Sequence, residues 1–311
     1  MKAVLHYGAT VGLRADLGEL SGPLDVVVVP EDDREGLFRA LADAEVLLHV
    51  LEPVTAEMIE AAPHLRLIQK IGVGTDAIDI AAATKRGIAV CNMPGTNTQA
   101  VVEMTLLLML MTLRRAVELD ALTRAGTWLV PASIRDGLGE LSGRTVGLVG
   151  YGGVPRRLAP ALAALGARVV VHARRGNEDG IPVLPLDDLL AESDIVSLHL
   201  PATPETSGLI DTRRLELMRP GAILINTARG ALVDQAALFD ALSSGHLAAA
   251  GLDVFQPEPL GRDDPLTRLP NVVLAPHVAW LTHETLRRSL EVARENAERL
   301  AAGRPLIHRV A

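Results

Sequence analysis

The chain has 311 residues, of which 49% are hydrophobic and 22% charged, a composition typical of a folded protein with room for two domains. Its net charge is -8 at pH 7 and only 2% of its residues are aromatic, so it lacks the basic face and the stacking side chains of nucleic-acid binders. A single cysteine, Cys91, excludes an intrachain disulfide and a metal site built from several cysteines. The first ten residues lack the apolar region typical of a signal peptide, and the longest apolar run, residues 106–113, is too short for a bilayer span. We expect a cytoplasmic protein that binds no metal ion, nucleic acid or membrane.

Short apolar runs alternate with Ala/Leu-rich segments along the whole chain. Such strands, apolar throughout and separated by helices, predict an α/β fold with parallel sheets covered on both faces. The first series of predicted strands is 26–29, 46–50, 67–71 and 88–91; the second is 145–149, 168–172, 195–200, 222–226, 248–254 and 271–274.

Two long helices are predicted besides those between strands. The first, at about residues 98–124, follows a turn rich in capping residues and would join the two sheets as a buried helix. The second, at about 283–302, is closed by Gly303 and Pro305. It could pack on either sheet.

A glycine turn separates the strand at 145–149 from an Ala/Leu-rich helix. The turn reads Gly150-Tyr151-Gly152-Gly153-Val154, and it predicts a site for the pyrophosphate of a dinucleotide at the start of that helix. Pro155 stands where a third glycine is usual, which leaves an ordinary strand-to-helix turn as the alternative. Proline is tolerated in a first helical turn.

The next strand ends without the acid that usually binds the ribose of NAD. Ala173 occupies that place, and Arg174 and Arg175 follow it. Two guanidinium groups without a carboxylate favour the 2′-phosphate of NADP. NADP is therefore the expected cofactor, with NAD still possible. Solvated loop arginines are the alternative explanation.

Three polar stretches follow later predicted strands: 226–230, 251–259 and 276–280. Because the carboxyl ends of parallel strands meet at one edge of a sheet, we expect Arg229, Glu258 and His277 to lie close together. Taken singly, each has an ordinary structural explanation. Together they are a cation, an acid and an imidazole in one crevice.

The order of these motifs resembles the D-isomer-specific 2-hydroxyacid dehydrogenases, in particular glyoxylate and hydroxypyruvate reductases. The resemblance rests on Gly150-x-Gly152, residues 197–206, Asn226-x-x-Arg229-Gly230, residues 251–259 and Pro276-His277, and it extends to residues 70–76 and 97–108. It implies a flavodoxin-like substrate domain from residues 1–96 plus 283–311 and a Rossmann dinucleotide-binding domain from 97–282. It also implies an active site in the cleft between the domains, and a homodimer.

The resemblance assigns roles by position. Arg229 would bind the substrate carboxylate and polarise the 2-oxo group, His277 would exchange the proton, and Glu258 would favour the imidazolium form. The amides of Val73 and Gly74 would anchor the carboxylate a second time, with Asn97 at the hinge. The implied cofactor contacts are Gly150, Gly152, Gly153, Val154, Arg174, Arg175, Thr206, Thr227, Ala228, Arg229, Asp253 and His277, with Asp253 on the nicotinamide carboxamide.

The predicted reaction is hydride transfer between a nicotinamide dinucleotide and a small 2-oxo or 2-hydroxy acid. A non-catalytic dinucleotide sensor of the corepressor type is the alternative, because that fold also serves such proteins. The substrate itself stays open, although residues 49–52, the loop before Val73 and Trp280 are expected to shape the pocket. Trp280 could equally belong to the core, and His199 is expected to be structural.

Overall fold

The computed structural model describes residues 1–19, 24–174 and 179–311. The chain divides into two compact units. Unit 1 comprises residues 1–97 and 280–311, and unit 2 comprises residues 98–279. Unit 2 therefore begins one residue later and ends three residues earlier than the sequence predicted.

Unit 1 contains a five-stranded parallel sheet in the order β2-β1-β3-β4-β5, which is the flavodoxin-like order. Alternate residues of one strand point to opposite faces: Leu47 lies in the core on one face and Leu48 in the core on the other. Two covered faces explain why these strands are apolar throughout. The elements are β1 Lys2–His6, α1 Val11–Glu19, β2 Asp25–Val29, α2 Arg34–Leu41, β3 Val46–His49, α3 Ala56–Glu60, β4 Leu67–Lys70, α4 Ile80–Lys85 and β5 Ala89–Cys91.

Unit 2 contains a six-stranded parallel sheet in the order β11-β10-β9-β8-β6-β7. Outside β7, Val183 forms a single parallel bridge with Val171. If the Val183 segment is counted as a strand at the edge beyond β7, the six strands from that edge to β10 follow the order of a Rossmann sheet. The strand β11 is then one additional strand at the opposite edge. The elements are α5 Thr98–Leu113, α6 Ala116–Arg124, α7 Ala132–Arg135, β6 Thr145–Val149, α8 Gly153–Ala164, β7 Arg168–His172, α9 Leu186–Glu192, β8 Ile195–Leu198, α10 Thr212–Leu217, β9 Ala222–Asn226, α11 Gln235–Ser243, β10 Leu247–Leu252 and β11 Val272–Leu274, with short 3-10 turns at Gly230–Leu232 and Pro265–Arg268.

The single helix predicted at 98–124 is in fact two helices, α5 and α6. Arg115 separates them in the left-handed region, with φ at 47°. Its guanidinium binds the Glu118 carboxylate and donates to the Ser133 carbonyl, and these contacts hold the break. The helix is also not fully buried, because Leu107 is 48% and Leu110 39% exposed.

The last helix, α12 His283–Ala301, belongs to unit 1. Leu290 and Ala293 pack into the core that contains Leu48. Asn296 donates to the side chain of Gln69 in β4 over 2.8 Å, and both residues are buried. None of the helices in the described part of the chain is both long and apolar enough to cross a membrane.

Candidate active site

The loops that follow β9, β10 and β11 are joined by backbone hydrogen bonds where the strands end. The His277 amide donates to the Asp253 carbonyl over 2.8 Å, and the Asp253 amide donates to the Asn226 carbonyl over 2.9 Å. The sheet thus aligns the three loops that carry the predicted cation, acid and imidazole.

His277 and Glu258 form a hydrogen-bonded pair. His277 Nδ1 lies 2.7 Å from Glu258 Oε2, and the Phe255 amide donates to Glu258 Oε1 over 2.9 Å. Burial opposes ionisation of Glu258, but the bonds from His277 and Phe255 and the charges of His277 and Arg229 together hold its pKa below its ordinary value. The Glu258 carboxylate is therefore charged and fixed against the ring.

The backbone of His277 is itself unusual. Its φ is 54°, in the left-handed region that residues other than glycine seldom adopt. Such a conformation persists only where the surroundings impose it, and it is common at functional sites.

Arg229 lies on a turn that Asn226 holds from within. The buried Asn226 side chain accepts from the Ala228 amide over 3.0 Å and donates to the Arg229 carbonyl over 2.8 Å. Arg229 is half-buried, and its guanidinium donates to the Ala228 carbonyl over 2.7 Å. Because its charge lowers the pKa of Glu258, the structure brings all three predicted catalytic residues together.

Gly230 shows how closely the Arg229 turn approaches the loop that carries Glu258. A Cβ atom at this position would lie 1.9 Å from the Phe255 carbonyl oxygen. Any side chain would therefore push the two loops apart. This close approach explains the glycine after Arg229.

Asp253 is fully buried and holds the loop of His277 in place. Its two carboxylate oxygens accept from the amides of Val278 over 2.8 Å and Ala279 over 2.9 Å. Burial raises its pKa, although these two bonds oppose the rise. Sequence reasoning assigned Asp253 to the cofactor and missed this role, which its position at the end of a buried strand could have suggested.

The glycine turn brings β6 directly to the amino end of α8. Gly150 adopts φ of 98°, and a Cβ there would lie 2.6 Å from the His199 carbonyl oxygen. Gly152 is the N-cap residue of α8 and, having no side chain, forms no capping hydrogen bond with the helix. No atom lies within 4 Å of the place where a Cβ atom of residue 152 would stand. The first-turn amides of Gly153 and Val154 thus belong to a helix terminus that suits an anion. Pro155, at the third helical position, removes an N–H that needs no partner within the helix.

The end of β7 lies beside this turn, because the Gly150 amide donates to the His172 carbonyl over 2.8 Å. Ala173 is half-buried and Arg174 exposed. The pKa of Glu205 lies below its ordinary value. The carboxylate accepts a hydrogen bond from Thr203 and one from the Glu205 amide, and the charge of Arg174 adds to the effect. Arg175 lies outside the described residues.

Comparison with known proteins decides the family. A family model, described as the NAD binding domain of D-isomer specific 2-hydroxyacid dehydrogenase, matches residues 106–279. The chain belongs to this family. It is therefore a D-2-hydroxyacid dehydrogenase linked to a nicotinamide dinucleotide, which confirms the predicted family and the predicted two-sheet α/β fold.

Similar proteins carry two different names. The dehydrogenase is 43% identical to a glyoxylate reductase from Korarchaeum cryptofilum, over 84% of this chain and 80% of that one. It is 42% identical to a D-3-phosphoglycerate dehydrogenase from Mycobacterium bovis, over 91% of this chain but only 54% of that longer protein. The crystal structure of the TT0316 protein from Thermus thermophilus superimposes with a TM-score of 0.90 at 40% identity, over 100% of both chains.

Three other predicted cofactor contacts of the dehydrogenase lie in loops of unit 2. The Thr206 hydroxyl donates to the Pro201 carbonyl over 2.7 Å. The buried Thr227 hydroxyl lies 2.9 Å from that of Thr105 on α5. Ala228 is half-buried on the Arg229 turn. The two hydroxyls are thus engaged within the protein, and their contact with the cofactor stays a prediction.

Tyr151, Arg156 and Asp179 form a cluster beside the glycine turn that sequence reasoning missed. The Tyr151 hydroxyl donates to Asp179 over 2.8 Å, and the Arg156 guanidinium lies 5.3 Å from the centre of the Tyr151 ring. Burial and the bond to Asp179 raise the pKa of Tyr151 to about 12. The position of Arg156 in the first turn of the helix was the available signal.

The predicted substrate residues Val73 and Gly74 follow β4 of unit 1. Val73 is 43% exposed, and its carbonyl accepts from the Asn92 side chain over 2.9 Å. Gly74 and Asn97 are half-buried. Trp280 belongs to the core of unit 1, with its ring 6.3 Å from that of Tyr7, so the core explanation applies to it.

His199 is placed as a structural residue. Its Nε2 lies 3.0 Å from the Ser197 hydroxyl, and burial lowers its pKa to about 4. Within residues 1–19, 24–174 and 179–311, no three His, Cys, Asp or Glu side chains are grouped as metal ligands.

Proposed function

We propose that this dehydrogenase reduces a small 2-oxo acid to the D-2-hydroxy acid and prefers NADPH to NADH. The hydrogen bond of 2.7 Å between His277 and Glu258, within range of the Arg229 charge, carries the proposal. This arrangement supplies an acid, its orienting carboxylate and a cation for an anionic substrate.

Each residue of the trio has a distinct task. A bound dihydronicotinamide would supply the hydride. Arg229 would hold the substrate carboxylate and stabilise negative charge that develops on the 2-oxo oxygen. Since Glu258 engages Nδ1 of His277, Nε2 is the ring atom that would hold the proton for that oxygen. Glu258 would stabilise the protonated ring before the transfer.

The cofactor preference rests on the end of β7. Ala173 stands where an acid would bind the ribose of NAD, and the exposed guanidinium of Arg174, beside the glycine turn, would bind a 2′-phosphate in competition with the nearby Glu205 carboxylate. Arg175 would add to this charge. Arg156, over the Tyr151 ring, is a further cation near the turn, although its guanidinium lies 3.8 Å from the Asp179 carboxylate.

The remaining assignments are parts of the same proposal. Val73, Gly74 and Asn97 would bind the substrate carboxylate, and Asp253, Thr206, Thr227 and Ala228 would contact the cofactor. The protein would act as a homodimer in the cytoplasm.

The first experiment measures initial rates of glyoxylate and hydroxypyruvate reduction with NADPH and NADH side by side. We expect turnover of both acids and a higher kcat/KM with NADPH. Arg229→Ala should abolish most of this turnover, and a near wild-type rate would refute the assigned mechanism. An inactive wild-type protein would instead favour the dinucleotide-sensing alternative.

A second pair of variants tests the cofactor preference. Arg174→Ala should raise the KM for NADPH about tenfold, because a charged hydrogen bond of this kind is worth about 1.5 kcal/mol or more, and should leave the KM for NADH unchanged. Arg268→Ala, at a site that is 73% exposed elsewhere in unit 2, is the control. Equal use of the two cofactors by the wild type would make Arg174 a surface charge.

A further inference from the structure

A cavity of about 510 Å³ lies at the amino end of the unit 2 sheet. Its lining includes Gly221 just before β9, Ala248 in β10 and Asn271 just before β11. The loops of the proposed catalytic trio follow the opposite ends of these three strands, and the six residues of β10 span about 16 Å. The cavity is therefore separate from the proposed active site. Its volume is in the range of small-molecule sites, about 300 to 1,000 Å³.

One part of the cavity lining is apolar. Leu113 at the end of α5, Ile223 in β9 and Leu242 in α11 all line the cavity, and none is more than 4% exposed. A ligand with an apolar body would lose its contact with water on these side chains, which favours binding.

Three charged side chains also line the cavity: Arg115, Glu118 and Arg144. The first two form a pair, because the Arg115 guanidinium binds both oxygens of the Glu118 carboxylate. This pair has no net charge. Arg144 therefore gives the lining its net positive charge.

Arg144 is held in place by the segment before β6. It is half-buried, and its Nε donates to the Glu140 carbonyl over 2.7 Å. A Cβ atom at Gly139 would lie 2.5 Å from one terminal nitrogen of Arg144, so the glycine makes room for the guanidinium. The Gly139 amide donates to the Leu113 carbonyl over 2.8 Å, which joins this segment to the apolar part of the lining.

The terminal nitrogens of Arg144 have no acceptor among the residues that the structure describes. Other half-buried arginines of unit 2 differ in this respect. Arg115 binds Glu118, and Arg214 donates to the Asp187 carboxylate over 3.2 Å. A carboxylate is the group that matches two parallel guanidinium donors, and at Arg144 a ligand could supply it.

We propose that this cavity is a second ligand site, which binds a small carboxylate with an apolar body. The carboxylate would accept hydrogen bonds from the terminal nitrogens of Arg144, and the apolar body would cover Leu113, Ile223 and Leu242. The site goes beyond the proposed reduction of 2-oxo acids, because none of its residues belongs to the catalytic trio or to the glycine turn.

Isothermal titration calorimetry with octanoate tests the site, on the full chain with saturating NADP. We expect one octanoate per chain, with a Kd of about 1 mM or below. 1-Octanol lacks the charge and acetate lacks the apolar chain, so each should bind at least about tenfold more weakly. Octanol that binds as tightly as octanoate would refute the role of Arg144. Absence of saturable octanoate binding would refute the site.

Two variants locate the octanoate in the cavity. Arg144→Met removes the charge and keeps an apolar side chain, so octanoate should bind at least about tenfold more weakly. Ser243→Phe places a ring in the lining from the exposed last residue of α11 and should block binding, while the Tm shows that the fold is kept. Arg268→Met, at a side chain that is 73% exposed, is the matched control. An Arg144→Met variant with the wild-type Kd would overturn the proposal.

Arg229→Ala separates this site from the proposed active site. It removes the cation that would bind a substrate carboxylate, and it should leave the Kd for octanoate unchanged. If Arg229→Ala weakens octanoate binding and Arg144→Met does not, octanoate occupies the active site and the second site is refuted. Failure to reduce any 2-oxo acid would overturn the proposed function but not this site.

Discussion

Glu258 couples the position of His277 to its charge. One carboxylate oxygen binds the ring and the other accepts the Phe255 amide, so a glutamine would keep the shape and lose the negative charge. We expect Glu258→Gln to lower kcat for glyoxylate reduction about 100-fold or more, the usual scale of general acid catalysis, with a small change in KM. Asp263→Asn, at a side chain that is 97% exposed, should retain wild-type rates. A variant at position 258 with more than half the wild-type kcat would contradict the assignment.

The lowered pKa of Glu258 also predicts how stability depends on pH. A carboxyl whose pKa is lower in the folded than in the unfolded state stabilises the fold fully above its ordinary value of 4.5. This contribution is lost as the pH falls through the lower, folded value. We expect the Tm of the wild type to exceed that of Glu258→Gln at pH 7, and the difference to shrink as the pH falls from about 5 to about 3. If the difference in Tm is constant over this pH range, the charge of Glu258 does not contribute to the stability of the fold.

Asp253 allows a test that separates loop support from cofactor contact. Asp253→Ala leaves the amides of Val278 and Ala279 without acceptors, and each buried, unpaired donor costs about 1 to 3 kcal/mol. We expect a lower free energy of unfolding in urea, and a lower kcat because the segment that follows His277 loses two of the bonds that hold it. A variant of unchanged stability that only raises the KM for the cofactor would support the carboxamide contact alone.

The sequence singled out three candidate catalytic side chains but missed most of the contacts that support them. Arg229, Glu258 and His277 stand out because charged residues directly after apolar strands need an explanation. The bonds of Asp253 could not be read, because they join two loops that are distant in sequence, whereas those of Asn226 lie within its own turn. Supporting contacts of this kind belong to tertiary structure.

At the scale of elements, the Arg229 turn and the loop that carries Glu258 fit together only without a side chain at position 230. The 1.9 Å separation from the Phe255 oxygen means that Gly230→Ala must move one of the loops. We expect this variant to lose most of its activity and to have a lower Tm. Gly261→Ala is the control, because no atom lies within 4 Å of a Cβ there. Equal behaviour of the two variants would show that the loops tolerate separation.

Elements with strong local patterns were predictable, and those that depend on distant partners were not. Nothing in the local sequence marks Arg115 as a helix break, since arginine is a good helix former. Its contacts with Glu118 and Ser133 impose the break. Val183 makes only one bridge, too short a strand for a period-two pattern to reveal.

At the scale of the whole molecule, the alternation of strands and helices was enough to predict two parallel sheets. The same alternation did not show which sheet α12 covers, because the apolar face of an amphipathic helix indicates that the helix packs on a core but does not identify that core. The hydrogen bond between Asn296 and Gln69, inside the core of unit 1, supplies that specificity. A pair of buried polar side chains is satisfied in one arrangement only.

Unit 2 presents apolar side chains to solvent along α5 and beyond it. Leu107 and Leu110 lie on the same stripe of α5, and Val117 on α6 is 49% exposed. Trp128 and Leu129, between α6 and α7, are 85% and 84% exposed. Exposed apolar side chains that form a contiguous patch mark association surfaces, and Leu107 and Leu110 are three residues apart on one helix. A second copy of the chain is the partner that a closed, two-fold interface would provide.

We therefore expect the protein to sediment as a dimer of twice its 33.0 kDa chain mass. The double variant Leu107→Asp and Leu110→Asp places two charges on the α5 stripe, and burying them would cost several kcal/mol each, so it should sediment as a monomer. Val11→Asp, at a position of unit 1 that is 88% exposed, makes a similar change elsewhere and should leave the dimer intact. Sedimentation velocity over a range of concentrations measures all three proteins. A wild type that stays monomeric at micromolar concentration would refute the α5 interface, and a double variant that stays dimeric would place the interface on another surface.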